Sequence, residues 1–376
     1  MKNIVNLGNV ATYINGYAFK PSDWAEDGTP IIRIQDLTGN SYQMNRFKGI
    51  VDSKYDVNSG DVLISWSASL GVYVWNRGNA VLNQHIFKVV FDKEEVDKDF
   101  FVFQIDNLLK RAANQAHGAT MRHLTKPVFD ALPFYLPDIK TQRLISSKLN
   151  LIVHLIEDHH EQLKKLDELI RSRFLERFGD PIINPFGYPI HKLGDYIENL
   201  TSGARGWARY YADDGNAWFI TIKNVKNCKI TVDNMQTINA PDNAEAKRTR
   251  VKEGDLLISI TADLGRTGVV TKEIANKGSY INQHLSCIRL NRYALEPLYV
   301  AYFMESEAGK RQFKKENQSA VKAGINFKSI QSLKLMVPPL VRQEEFLSFY
   351  KQVDKSKYRE AIFLYLLEDI RICCNI

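Results

Sequence analysis

The sequence predicts an α+β chain of two homologous mixed α/β domains, separated by two long helices that form an antiparallel coiled coil. Three observations carry this expectation. A series of short matches recurs, in the same order, in the two halves of the 376 residues. Each half closes on a proline-bearing segment, a glutamine and a long helical stretch. The first of those stretches carries a narrow apolar seam that a single helix cannot bury.

The seam runs through Leu149, Ile152, Ile156, His159, Leu163, Leu166, Ile170 and Arg173, spaced alternately three and four residues apart. That is coiled-coil spacing, and Glu157, Asp158, Glu161, Lys164 and Lys165 lie on the faces around it. No proline interrupts the stretch from Ile139 to Phe178, which predicts a helix roughly 60 Å long at ~1.5 Å per residue. The partner is expected from Arg342 to about Ile370, where Phe346, Phe349, Val353, Leu364, Leu367 and Ile370 supply apolar positions. Lys357 and Glu360 make its middle polar.

The repeat is read from matched fragments. Leu7-Gly8 answers to Leu193-Gly194, and Ile31-Ile32-Arg33-Ile34-Gln35-Asp36-Leu37 is echoed by Trp218-Phe219-Ile220-Thr221-Ile222-Lys223-Asn224-Val225. Gly60-Asp61-Val62-Leu63-Ile64-Ser65 answers to Gly254-Asp255-Leu256-Leu257-Ile258-Ser259, and Asn83-Gln84-His85 to Asn282-Gln283-His284. The offset grows from 186 at Leu7 and Leu193 to 201 at Gln142 and Gln343. Ordered matches with a growing offset are what two copies with different loop insertions produce. The expected boundaries are a domain at 1–138, a helix at 139–179, a linker at 180–192 rich in proline and glycine, a second domain at 193–338 and a second helix at 339–376. Strands are expected over Asp61 to Trp66 and Ile86 to Phe91, and helices over Phe100 to Ala113 and Pro297 to Lys315.

Charge bounds the partners. Net charge is +7 and the isoelectric point about 9.0, which suits a polyanion. The four cysteines, Cys228, Cys287, Cys373 and Cys374, have neither zinc-site nor disulfide-framework spacing, so a reducing cytoplasmic setting is expected. No signal peptide and no run of eighteen apolar residues is present, so no membrane association is expected.

The duplicated order resembles the specificity (S) subunits of type I restriction-modification systems. Leu132-Pro133-Phe134-Tyr135-Leu136-Pro137 with Gln142, and Leu335-Met336-Val337-Pro338-Pro339-Leu340 with Gln343, carry the likeness. So do the domain openings, the two Gly-Asp strand entries and the junction Arg173-Phe174-Leu175-Glu176-Arg177-Phe178-Gly179-Asp180-Pro181. The resemblance implies that each copy is a target recognition domain reading half of a split site in double-stranded DNA. It implies a helical platform for methyltransferase subunits, two in number, which bring in restriction and translocase subunits. Because the copies differ, the site is expected to be asymmetric.

Candidate DNA contacts follow from residue chemistry, since Arg, Lys, Asn and Gln on loops serve base edges and phosphates. The basic loop before each closing strand, at the position of a family DNA-contacting loop, offers Arg122, His123 and Lys126 in the first copy and Lys322 and Asn326 in the second. Arg205, Arg209 and Tyr210 interleave arginine with aromatic rings, which suits phosphate contact plus stacking; Lys20 stands at the equivalent place in copy one. Arg33, Lys223 and Arg266 complete the set. Solvated loops, or aromatic packing with outward arginine heads, are the plainer alternatives. Asn83-Gln84-His85 and its counterpart are shared by both copies, so a structural role is expected for them.

No catalytic site assembles. Asn184-Pro185-Phe186 lacks the second proline of amino-methyltransferase motifs, Pro137-Asp138 has no Asp/Glu-x-Lys following at a sensible distance on the helix, and no G-x-x-x-x-G-K-[ST] loop occurs. His154, Asp158, His159, His160 and Glu161 do not share one helix face, so no metal site and no cofactor are expected. The expected role is a non-catalytic reading and scaffolding subunit. The alternatives are a stand-alone DNA modification or restriction enzyme, or a two-headed adaptor for protein or RNA.

Overall fold

The computed structural model describes residues 3–40, 43–115, 125–203, 205–317 and 324–374. The chain divides into two compact units, Met1–His160 with Ile362–Ile376, and Glu161–Ala361.

In the first unit an antiparallel sheet has the strand order Thr12–Asn15, Ile86–Val90, Val62–Ser65, Gly71–Val74. A second sheet has the order Arg46–Phe47, Thr29–Ile32, Ala80–Leu82, Asp56–Val57, with its two central strands parallel. Ile4–Asn6 pairs with Pro133–Tyr135 and brings the ends of the domain together. The second unit repeats this plan. Its antiparallel sheet runs Ile197–Ser202, Leu285–Leu290, Leu256–Ser259, Thr267–Val269. Its other sheet runs Gln236–Ile238, Ala217–Ile220, Tyr280–Ile281, again with one parallel pair, and Ile190–Lys192 closes on Lys334–Met336.

The local reasons repeat too. Val62-Leu63-Ile64 is buried on both faces, as an uninterrupted apolar run requires. Val62 and Ile64 enter the core with Phe87, Phe101 and Phe134, while Leu63 faces the smaller core around Trp75 and Ile86. Leu256 and Ile258 part from Leu257 in the same way. The strand entries are turns. Gly60 and Gly254 take φ of +98° and +83°, a region that favours glycine. Asp61 then accepts from the Asn58 N–H (2.9 Å) and Asp255 from the Lys252 N–H (2.7 Å).

The expected helix at Phe100 to Ala113 is Lys98–Gln115. The one expected from Pro297 to Lys315 is two helices, Pro297–Glu305 and Glu307–Glu316. Ser306 breaks it with an extended backbone and caps the second piece, its hydroxyl accepting from the Gly309 N–H.

The long helices are Ile139–Phe178 and Leu340–Cys374. Asp138 caps the first by accepting from the Thr141 N–H and hydroxyl (2.9 and 2.8 Å). Gly179 ends it with φ +74° and an N–H bonded to the Leu175 carbonyl. Pairing is antiparallel. Arg177 meets Glu345 (3.0 Å), Arg173 lies over the Phe349 ring and Lys357 pairs with Asp167. In the first unit His159 stands edge-on to Phe363. Leu149, Ile156 and Ile170 are buried and Ile152, Leu163 and Leu166 half-buried; on the second helix Val353 and Leu367 are buried and Leu364 half-buried. Ile370 departs from the expected seam and is 45% exposed, because it turns off the stripe that ends at Leu367.

Candidate nucleic-acid interface

At one end of the antiparallel sheet of each domain, loops meet. In the first domain the Gly16 N–H donates to the Ile86 carbonyl, the Gln84 N–H to Tyr17 and the Trp66 N–H to His85. The Trp66 indole N–H donates to Asn15 Oδ1 at 3.1 Å. In the second domain the Gly203 N–H donates to Leu285 and the Ile260 N–H to His284. Thr261 Oγ1 and His284 Nδ1 are 2.5 Å apart, and the Ile325 N–H bonds to the Ile260 carbonyl.

The recurring Asn-Gln-His tripeptides are where the chain passes from one sheet to the other. Asn83 donates its backbone N–H to Ile32, and Asn282 to Ile220. A Cβ placed on Gly16 would stand 2.0 Å from the Asn83 carbonyl oxygen, and one on Gly203 would stand 1.9 Å from that of Asn282. Two backbones crossing this closely leave room only for glycine.

The candidate residues occupy different electrostatic states. Lys20 is exposed, and its N–H is held by Asp23. Arg33 is half-buried, laid over Trp24 (5.4 Å) and beside the buried Asp36. Lys126 is paired with Asp130 at 2.8 Å and lies over the Tyr13 ring. Burial pushes the Tyr13 hydroxyl well above its usual range, with Asp130 adding to the effect, and its proton is given to the Leu7 carbonyl.

In the second domain Arg205 and Lys223 are exposed, and Arg209 is exposed over the Tyr210 ring at 4.8 Å. Tyr210 packs edge-on against Trp207, which is buried and stacked flat on Phe219. Arg266 is ion-paired with Asp263. Asn326 caps the helix Phe327–Ser332 by accepting from the Ser329 N–H at 3.0 Å. The structure therefore brings Arg205, Arg209 and Tyr210 to one exposed loop, whereas Arg33, Lys126 and Arg266 stand beside carboxylates. Arg122, His123 and Lys322 lie outside the described residues.

Sequence reading missed the underside of the Arg205 loop. Glu245 and Arg248, on the helix Ala244–Thr249, bond to Trp207 and to Thr201 and Ser202. These contacts span 38 to 47 residues and leave no local pattern.

The His-rich stretch of the first long helix diverges: His154 faces Glu157, His160 bonds to the Ile156 carbonyl and His159 meets Phe363. Among the described residues no group of three His, Cys, Asp or Glu is placed to hold a metal ion. Cys228 and Cys287 are buried with their thiols pushed up, mainly by burial; Glu305 adds to the effect at Cys228 and Asp255 at Cys287. Among the described residues no helix is long and apolar enough to cross a membrane.

Comparison with known proteins adds three findings. The family model described as "Type I restriction modification DNA specificity domain" matches twice, over residues 2–168 and 192–361. The type I restriction enzyme EcoBI specificity subunit of Escherichia coli is 20% identical over 93% of this chain and 78% of its own. The MjaVIII specificity subunit of Methanocaldococcus jannaschii is 18% identical over 96% and 88%. Two solved structures share the fold. A chain from a type I restriction-modification system, solved for its complex assembly and conformational transition, superposes with a TM-score of 0.62 at 18% identity, covering 99% of this chain and 96% of that one. The S subunit from M. genitalium superposes with a TM-score of 0.55 at 14% identity, covering 100% and 95%.

Proposed function

Because the chain belongs to the family of type I restriction modification DNA specificity domains, we propose that it reads a two-part, asymmetric site in double-stranded DNA, one half with each domain. The long helices serve as the spacer between the two readings. They are also the platform for methyltransferase subunits, two of them, through which restriction and translocase subunits join. Methyl transfer and ATP hydrolysis belong to those partners, and the complex works in the cytoplasm.

One observation supports this reading above the others. The loop frame at the sheet end is repeated, but its contents are not. Backbone bonds, glycines and crossing tripeptides recur, whereas Tyr17, Lys20, Trp66 and Val72 in one copy stand against Arg205, Arg209, Ile260 and Arg266 in the other. A fixed frame with exchanged side chains suits two readers of different sequences. Phosphate contacts would position each domain and base-edge contacts would specify its half-site. A spacer tens of ångströms long is comparable with one DNA turn of about 34 Å, so the half-sites flank an unread gap.

The test is methylome sequencing of cells that express the chain with its modification partner. A single asymmetric motif of two short blocks around an unspecified gap is expected. A continuous or palindromic motif would overturn the two-reader arrangement. Methylation or cleavage by the purified chain alone would overturn the assignment of chemistry to partners.

A further inference from the structure

We infer that Glu245 and Arg248 are positioning residues for the DNA-contacting loop of the second domain, and that they govern its half-site preference by fixing where Arg205 stands. The inference rests on the DNA-reading function proposed above.

The helix Ala244–Thr249 is itself fixed. Ala246 and Thr249 are buried, Ala246 in a cluster with Trp207, Phe219, Ile238 and Tyr280, and Asn243 caps the first turn through the Ala246 N–H. From this base two side chains reach the Arg205 loop on either side. Arg248 donates to the Thr201 hydroxyl and, at 2.7 Å, to the Ser202 carbonyl, where the strand Ile197–Ser202 ends. Glu245 accepts the Trp207 indole N–H at 3.0 Å, where the loop re-enters the core. Arg205 stands exposed between these two anchors.

Two features separate this brace from ordinary support of the fold. Arg248 spends its hydrogen bonds on a hydroxyl and a carbonyl and Glu245 on a neutral indole N–H, so the two ends of the loop are held by directed bonds rather than by an ion pair. The brace also differs between the copies. Features that close each domain recur in both copies, as with Gly16 and Gly203 or Gln142 and Gln343. The first domain instead braces its loop from the turn Ser53–Tyr55, where Tyr55 packs on Tyr17 (5.6 Å) and Tyr17 on Phe19 (4.9 Å). A support exchanged together with the loop it holds belongs to the reading.

The experiment uses the chain assembled with its modification subunits and a duplex carrying the methylated motif. Arg205→Gln, Arg248→Gln and the double variant are compared, with Arg248→Lys as the conservative control. Arg205→Gln is expected to weaken binding about tenfold and Arg248→Gln about fivefold, with the double variant no weaker than Arg205→Gln because the two act as one unit. Arg248→Gln should also relax discrimination among second half-site variants and leave the first half-site unchanged, with Arg248→Lys recovering part of the loss. Multiplying effects in the double variant, or parallel loss at both half-sites, would overturn the positioning role. Failure of the unsubstituted complex to bind a two-part duplex would overturn the proposed function and this inference together. Normal binding by the unsubstituted complex with Arg248→Gln indistinguishable from it in affinity and half-site preference would overturn the brace alone.

Discussion

Lys357 of the second long helix donates to the Asp167 carboxylate of the first. The Lys357 side chain is 15% exposed and that of Asp167 is 45% exposed, so the pair is only partly screened by water. The charged middle of the second helix, which breaks its apolar seam, thus carries a cross-helix bond that favours one register. Lys357→Glu would set two carboxylates together. The expected loss is about 1 kcal/mol, given the exposure of Asp167, and Asp167→Lys in the same chain should restore most of it. Thermal unfolding of the two single variants and the swap decides. An unchanged melting temperature with lost co-purification of the methyltransferase would assign Lys357 to the partner instead.

Gln142 and Gln343 do the same work in the two copies. Gln142 Oε1 accepts from the Asp97 N–H (2.9 Å) while its amide N–H donates to the Pro137 carbonyl (2.8 Å). Gln343 accepts from the Glu296 N–H (2.9 Å) and donates to Pro338 (2.8 Å). Both are buried, at 1% and 0% exposure, so truncation leaves main-chain groups unpaired away from water. Gln343→Leu and Gln142→Leu should each cost about 2–4 kcal/mol. Chemical denaturation should show the loss in the unit that carries the substitution.

The glycines at the crossing points make a sharper demand. Gly16→Ala and Gly203→Ala each force a methyl group against a main-chain carbonyl at 2.0 and 1.9 Å, where no side chain can give way. About 3 kcal/mol of destabilisation is expected from each. Gly39→Ala meets nothing within 4 Å, but its φ of +73° remains, so a loss of about 1 kcal/mol from the backbone alone is the reference. The melting temperatures of Gly16→Ala and Gly203→Ala should fall further than that of Gly39→Ala.

Much of this architecture was legible because its causes are local or periodic. The three-and-four spacing from Leu149 to Arg173 needs no tertiary knowledge to predict a paired helix. Val62-Leu63-Ile64 after Gly60-Asp61 announces a buried strand behind a turn, and its second appearance announces a second copy. The candidate interface was less legible. Arg33, Lys126 and Arg266 look like free cations in a one-dimensional reading, yet Asp36, Asp130 and Asp263, three or four residues on or back, take up their charge. Ser306 divides a helix whose apolar pattern continues through it. The Arg248 contact to Ser202 joins residues 46 apart and has no sequence signature.

Glu296 gives a pH dependence with a defined sign. Burial raises its carboxyl above the usual range, with Arg292 and Lys351 opposing and Glu344 adding to the effect. A carboxyl raised in the folded state favours folding in its protonated form. That contribution is fully present below the ordinary carboxylate range and is lost as pH rises through the raised value. Glu296→Gln, which stays neutral and keeps the backbone bond to Gln343, should therefore be more stable than the parent at neutral pH. The difference should close on acidification below the ordinary range. Denaturation midpoints measured across pH would show it; a variant that gains stability only in acid would contradict the sign.

Ion pairing divides the candidate contacts into two electrostatic classes that salt can distinguish. Arg209 lies exposed over the Tyr210 ring, so its guanidinium keeps its charge for a phosphate. Arg266 already holds the Asp263 carboxylate. Each phosphate neutralised by a protein cation contributes about 0.9 to the slope of log affinity against log salt. Arg209→Gln should therefore lower that slope by about one unit and weaken binding at low salt. Arg266→Gln should leave the slope unchanged, because a guanidinium held by Asp263 neutralises no phosphate. Titration of the assembled complex with duplex DNA at several salt concentrations measures both. A unit fall in slope for Arg266→Gln would mean that the pair opens on DNA and that Asp263 releases its arginine to the backbone.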